Sequence, residues 1–164
     1  MTDEVKNFTI ETIIEIPKGS RNKYEMDHER HVIKFDRALH SAVHYPADYG
    51  FIPDTLALDG DPLDVLVLLG QPTFPGCVID VKPIAVLKMS DDKGQDEKIF
   101  CVPVDDPHFN HMESIDDVTP HLVKEITHFF ATYKELENKK VTIDGWGDRE
   151  EAIKIIKECQ ARHK

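Results

Sequence analysis

Three carboxylates crowd six residues in Asp59-Gly60-Asp61-Pro62-Leu63-Asp64, and the apolar run VLVLL follows almost at once. Repulsion at such density is either left to solvent or relieved by a cation. Mg²⁺ suits the second case, because it takes hard carboxylate oxygens while keeping several of its waters. Gly60 permits unusual backbone angles and Pro62 stiffens the turn, so the three groups can be held in fixed relation. A second acidic run, Asp91-Asp92-Lys93-Gly94-Gln95-Asp96-Glu97-Lys98, reads in two ways. It is an exposed hairpin, or a strand start that sets Asp96 and Lys98 on one side, a metal ligand beside a phosphate-suited cation. Lys23 and Glu25 repeat that same-face pairing, and Arg37 follows Asp36 after the run VIKF. Tyr45 and Tyr49 lie in HYPADYGFI, which Pro46 and Gly50 mark as an ordered loop.

Several other chemistries are excluded. Counted from Asp59, an EF-hand would need Gly where Asp64 stands and a bidentate Glu where Gly70 stands. Nine histidines include the close pairs His28/His31, His40/His44 and His108/His111, but no pair forms HExxH or has a second ligand motif beside it. Surface or hydrogen-bonding roles suffice for them. There is no GxxxxGK[ST] loop and no Ser in a GxSxG turn, which removes P-loop NTPases and α/β-hydrolases. Cys77, Cys101 and Cys159 are odd in number and widely spaced, so they read as free thiols. With 20 Lys and Arg against 31 Asp and Glu, the net charge of −11 opposes binding to nucleic acid or an anionic membrane, although such an excess also serves simple solubility. No stretch approaches the ~18 apolar residues of a membrane span, and the charged start MTDEVKNF is unlike a secretory leader, so the expected location is cytoplasmic.

The elements that must carry these residues change character along the chain. At 164 residues, 1–164 is read as one domain. Short β-branched runs broken by Pro, Gly, Asp and Asn fill the first two thirds and predict strands over 8–16, 23–26, 32–35, 65–69, 78–89 and 98–104. In the first, Ile10, Thr12, Ile14 and Ile16 share one face and Glu11, Ile13 and Glu15 the other. Thr119 as N-cap and Pro120 at the first position then open an amphipathic helix with Leu122, Ile126, Phe129, Tyr133 and Leu136 on its stripe. A second helix begins near Asp148, where Asp148 and Glu151 suggest a capping box, and runs through Ala152, Ile153, Ile156 and Cys159. Residues 140–143 can add a strand between them. Strands followed by helices predict an α+β domain, helices packed outside a small barrel.

The segment DGDPLDV resembles the Asp-x-Asp-Pro-x-Asp-x signature of the family I soluble inorganic pyrophosphatases. IEIPKGSRNKYE, the FDR of 35–37, HYPADYGFIPDTLALDGDPLDVLVL, VLKMSDDKGQDEK and HFFATYKELE resemble that family's segments in the same order, over most of 14–137. The short chain is similar to the prokaryotic branch. The resemblance implies a distorted, OB-like five-stranded β-barrel flanked by two α-helices. It also implies a homohexamer, with contacts that include the helix carrying His128, Phe129 and Phe130. The implied activity is Mg²⁺-dependent hydrolysis of pyrophosphate by direct in-line attack of a metal-activated water. On this resemblance Asp59, Asp64 and Asp96 hold one metal, Asp64 helps a second, and Asp91 and Asp96 serve a substrate-associated ion. Glu15 reaches metal through water. Lys23, Arg37, Tyr45, Tyr49, Lys98, Tyr133 and Lys134 match phosphate-binding positions, Glu25 and Asp36 match supporting ones, and Asp61 matches the general base. Two other readings are a phosphohydrolase of nucleotides or phosphate esters and a noncatalytic OB-like binding module; the missing basic surface weighs against the module.

Overall fold

Inward Thr12, Ile14 and Ile16 alternate with outward Glu11 and Ile13 along the first strand, as its sequence requires, and Glu15 is buried on the second face. The structure is a computed structural model that describes residues 2–164. After a short helix α1 (Asp3–Lys6) come β1 (Ile10–Ile16), the hairpin of β2 (Asn22–Asp27) and β3 (Val32–Ala38), β4 (Asp48–Phe51), β5 (Asp64–Val67), β6 (Val78–Asp91) and β7 (Gly94–Pro103). Helix α2 (Pro120–Thr132), strand β8 (Thr142–Gly147) and helix α3 (Arg149–His163) complete the chain. No helix among the described residues is long and apolar enough to cross a membrane.

Strands β1, β4, β5, β7 and β6 pair in that order, and β6 pairs back to β1, so five strands close a distorted ring. Only β5 and β7 run parallel within it. Strand β6 reaches three partners because it is 14 residues long, meeting β1 near its start, β7 over most of its length and β8 near its end. The β2–β3 hairpin forms a separate sheet.

Two apolar clusters fill and cover the ring. One joins Leu66, Leu87 and Phe100 to Ile126, Phe129 and Phe130 of α2; the other joins Val65, Val86 and Ile99 to Ala152 and Ile156 of α3. Each Val, Leu, Ile or Phe among them contributes roughly 1.5–3 kcal/mol on full burial. Trp146 of β8 ties three elements together: its ring meets Phe100 of β7 edge-on at 5.8 Å, and its Nε1 donates to Thr127 Oγ1 of α2 at 3.2 Å.

The structure departs from the sequence reading at several joints. HYPADYGFI contains a strand, β4, rather than only a loop. Gly50 lies inside it because a Cβ there would stand 2.0 Å from the Ile13 carbonyl oxygen of β1. A glycine within a strand marks such a close approach as readily as it marks a loop. Helix α2 ends at Thr132, so Leu136 lies on a following 3₁₀ turn (Glu135–Glu137) and is exposed. Thr119 makes no side-chain cap bond, while Pro120 opens the helix as expected. Asp148 does accept from Glu151 N at 2.9 Å, but Glu151 turns its carboxylate to Lys88 Nζ at 3.0 Å, so the reciprocal half of the capping box is not made. Phe129 and Phe130 are buried, which leaves His121, Lys124, Glu125 and His128 as the exposed face of α2.

Candidate active site

Parallel pairing of β5 with β7 sets Asp64 opposite Lys98, and the two-residue strand period brings Asp96 to the same side. The Lys98 ammonium is therefore enclosed, 3.0 Å from Asp64 Oδ2, 3.1 Å from Asp96 Oδ2 and 2.8 Å from Tyr49 Oη, with the Tyr49 and Phe130 rings at 5.0 and 5.2 Å. Burial alone would depress its pKa, but Asp64, Tyr49 and Asp96 outweigh burial and hold it well above the usual lysine range. This buried cation forms the floor of a cleft of about 280 Å³.

The walls come from separate elements. Glu15 of β1 enters from one side, and its Oε2 accepts from Met26 N of β2 at 2.7 Å. Burial, with Asp64 and Glu25 adding repulsion, pushes the Glu15 carboxyl up to about 7 against the relief given by Met26 and Lys23. The loop bearing Asp59 and Asp61 is fixed from within by buried Thr55, which donates to Ile52 O at 2.6 Å and accepts from Leu63 N at 3.0 Å. Asp59 Oδ1 accepts from Asp61 N at 3.0 Å, leaving the Asp61 side chain exposed toward the cleft. Burial and the neighbouring Asp96 and Asp61 raise the pKa of Asp59; burial, followed by Asp64 and Asp91, raises that of Asp96 despite Lys98.

The β2–β3 hairpin supplies Lys23, Glu25, Asp36 and Arg37. Asp36 Oδ2 lies 3.3 Å from Lys23 Nζ and 2.5 Å from Arg37 Nη1, and these cations overcome burial to hold its carboxyl below the usual range. Tyr133 caps α2 and Lys134 follows it, 4.0 Å from Asp91 at the end of β6. Burial pushes the Tyr133 hydroxyl up to about 12; burial and nearby Lys98 lower Lys134.

Of the residues singled out from sequence, all line this cleft except Tyr45. Tyr45 is 1% exposed and packs behind it, 5.4 Å from the Tyr49 ring and 4.8 Å from Phe129. The sequence reading missed His28, Asp92, Lys93 and Lys139, which also line the cleft, and Glu137, which braces it. Glu137 Oε2 accepts from Arg37 Nη2 at 3.2 Å, while Arg37 Nε lies 2.9 Å from Oε1 but out of line for a hydrogen bond. No local sequence signal marks Glu137, because its partner Arg37 lies 100 residues away in the chain and the 3₁₀ turn that aims it stands where a helical turn is expected.

Nine carboxylates line the cleft against six Lys and Arg side chains. Those cations and tyrosines are the donors a phosphoryl group takes, yet the cleft as a whole repels anions. Among the described residues no three of the carboxylates converge to enclose an ion. Their chemistry nevertheless fits a hard divalent cation, since the raised Glu15, Asp59 and Asp96 show carboxylates held together without full counter-charge.

Residues 12–164 match the family model described as inorganic pyrophosphatase. An inorganic pyrophosphatase of Methanosarcina mazei is 64% identical over 92% of this chain and 89% of its own length; one of Methanosarcina acetivorans is 59% identical over 99% and 97%. Among solved structures, the inorganic pyrophosphatase of Thermus thermophilus superposes with a TM-score of 0.91 at 46% identity, covering 94% of this chain and 91% of that one. That of Helicobacter pylori gives 0.92 at 42%, over 94% and 93%.

Proposed function

This chain belongs to the inorganic pyrophosphatase family, and from that membership we infer that it hydrolyses pyrophosphate to two phosphates in the cleft described above. The observation that carries the reading is the mixture of charge: phosphate-suited Lys, Arg and Tyr donors interleaved with carboxylates that outnumber the cations. A polyanion gains affinity in such a place only with added positive charge, which Mg²⁺ supplies. Asp59, Asp64 and Asp96, with Asp91 and Glu15 beside them, would hold it. Bound there, Mg²⁺ would neutralise phosphoryl oxygens and ease deprotonation of the attacking water.

The protein's own residues divide the remaining work. Lys23 and Arg37 on the hairpin and Tyr133 and Lys134 beyond α2 hold the phosphoryl groups from two sides, and Tyr49 and Lys98 bind from the floor. Asp36 and Glu137 keep Arg37 aimed, and Glu25 supports Lys23 at 4.0 Å. Asp61 takes the proton from the attacking water; among the described residues nothing hydrogen-bonds its carboxylate and no cation lies within 4.0 Å of it, so it is available to accept. The new P–O bond forms in line with the bridging bond that breaks, and the departing phosphate leaves on the lysine and arginine donors. Tyr45 acts by backing Tyr49. The residues 1–164 act as one domain, in the cytoplasm, where Cys77, Cys101 and Cys159 stay as free thiols, and the assembly is a homohexamer.

Phosphate release from pyrophosphate by pure protein, with Mg²⁺ and after chelation, tests this. Turnover should require Mg²⁺ and fall when excess Ca²⁺ is added, because calcium's looser coordination misplaces the reactants. Undiminished turnover after complete chelation would refute the metal requirement.

A further inference from the structure

Four of the six Lys and Arg side chains in the cleft are already committed to carboxylates: Lys23 to Asp36, Arg37 to Asp36 and Glu137, Lys98 to Asp64 and Asp96, and Lys134 to Asp91. Lys93 and Lys139 are the other two, and among the described residues neither ammonium has a carboxylate within 4.0 Å. Both are exposed.

Backbone geometry brings them to one place. Lys93 sits in the two-residue turn that joins β6 to β7, where Asp91 pairs with Gly94 and accepts from Lys93 N at 2.9 Å. Lys139 follows Asn138, which takes the left-handed conformation at φ 59° and closes the 3₁₀ turn; Lys139 N then donates to Lys134 O at 3.3 Å. Strands β6 and β8 pair Ser90 with Thr142. Both segments reach the same cleft, Lys93 from the turn between β6 and β7 and Lys139 from the stretch that leads into β8. A hollow lined by Asp91, Asp92, Asn138 and Lys139 lies between the two segments and adjoins the cleft.

Two exposed ammonium groups that line one cleft without an ion-pair partner, on a chain of net charge −11, are poorly explained as stabilising elements. Neither holds a carboxylate that would tie it to the fold. An approaching diphosphate, repelled by the rest of the surface, meets them before it meets the paired cations deeper in. We propose that Lys93 and Lys139 are substrate-capture residues, which draw the phosphoryl end of the incoming anion into the mouth and hand it to Lys134 and Arg37. This rests on the pyrophosphatase reading for the identity of the anion. Capture of this kind acts on encounter, so it belongs to kcat/KM and fades as salt screens it.

The test uses Lys93→Gln, Lys139→Gln and the double variant, with Lys157→Gln as a charge-matched control, since Lys157 pairs with Glu4 away from the cleft. At an ionic strength of about 0.01 M, the double variant should lose roughly tenfold in kcat/KM with kcat little changed, and the gap should close near 1 M. Lys93→Arg and Lys139→Arg should retain most of the capture. Binding of methylenediphosphonate, which cannot be hydrolysed at its bridge, is measured by calorimetry and should weaken in parallel. The proposal is overturned if kcat/KM and diphosphonate affinity are unchanged at low salt, if Lys157→Gln matches the double variant, or if kcat falls equally and the deficit persists at high salt. It is also overturned if wild-type protein fails to bind the diphosphonate. Binding that depends on both lysines without hydrolysis of pyrophosphate would instead sink the proposed activity and leave capture standing.

Discussion

Among the described residues nothing hydrogen-bonds the Asp61 carboxylate, unlike those of Asp59, Asp64 and Asp96, and the role proposed for it is chemistry rather than holding the fold. Asp61→Asn nearly preserves shape, so turnover should fall by about 10² to 10⁴-fold at saturating Mg²⁺ while the melting temperature and substrate affinity survive. Near-wild-type turnover across a pH series would demote Asp61 to an electrostatic role. Glu15 makes a different prediction. Its carboxyl is ordinarily near 4.5 and rises to about 7 in the fold, so between those values the folded chain holds more proton than the unfolded one. Stability should therefore fall as pH rises through that window and level off above it. In chelated protein, Glu15→Gln should be more stable than wild type at pH 8 by up to about 3 kcal/mol, an advantage that shrinks toward pH 4.5. Thermal melts at both ends of the window decide it, and a pH-independent difference would refute the burial account. Most cleft residues were legible because two-residue alternation fixes the face of Glu15, Lys23, Glu25, Asp96 and Lys98 once the strands are known. Lys93, Lys139 and Glu137 were not, because each reaches the site from a turn whose direction depends on the neighbouring segment.

Thr55 decides whether the acidic loop is an element or merely a connection. Its one hydroxyl closes a buried pair of hydrogen bonds, and Ile52 N adds a third to Leu63 O at 2.9 Å, so the stretch between β4 and β5 is held from its base. Thr55→Val should strand Leu63 N without an acceptor and cost about 1–3 kcal/mol. Because Asp59, Asp61 and Asp64 lie on or just beyond that base, the Mg²⁺ concentration for half-maximal activity should rise as well. A destabilised variant with unchanged Mg²⁺ dependence would show that the loop keeps its shape without the brace. Strand and helix types were readable from periodicity, with exceptions that share a cause. Gly50 and Pro46 are loop signals locally, and pairing with β1 on one side and β5 on the other turns 48–51 into a strand; Tyr133 and Leu136 continue the helical stripe, but left-handed Asn138 closes a 3₁₀ turn instead. Tertiary contacts, absent from local pattern, settled both.

The whole molecule must be assembled before the site exists, because β1, β4, β5, β6, β7 and the segment after α2 each contribute to one cleft and the ring closes only when β6 returns to β1. The proposed hexamer uses the outward face of α2, where His121, Lys124, Glu125 and His128 stand, since Phe129 and Phe130 are committed to the interior. Sedimentation at micromolar concentration should give a species near six times 18.8 kDa, and a monomer alone would count against it. Composition and element order were enough to read the barrel and its two covering helices, whereas the polar outer face of α2 carries no periodicity from which an assembly could be read. Trp146 offers a last consequence. It is the chain's single tryptophan, and its indole spans β8, the Phe100 ring of β7 and the Thr127 hydroxyl of α2. The protein thus carries one optical reporter at the joint where the helix capped by Tyr133 meets the barrel, and its emission reads the docking of that helix with no added dye.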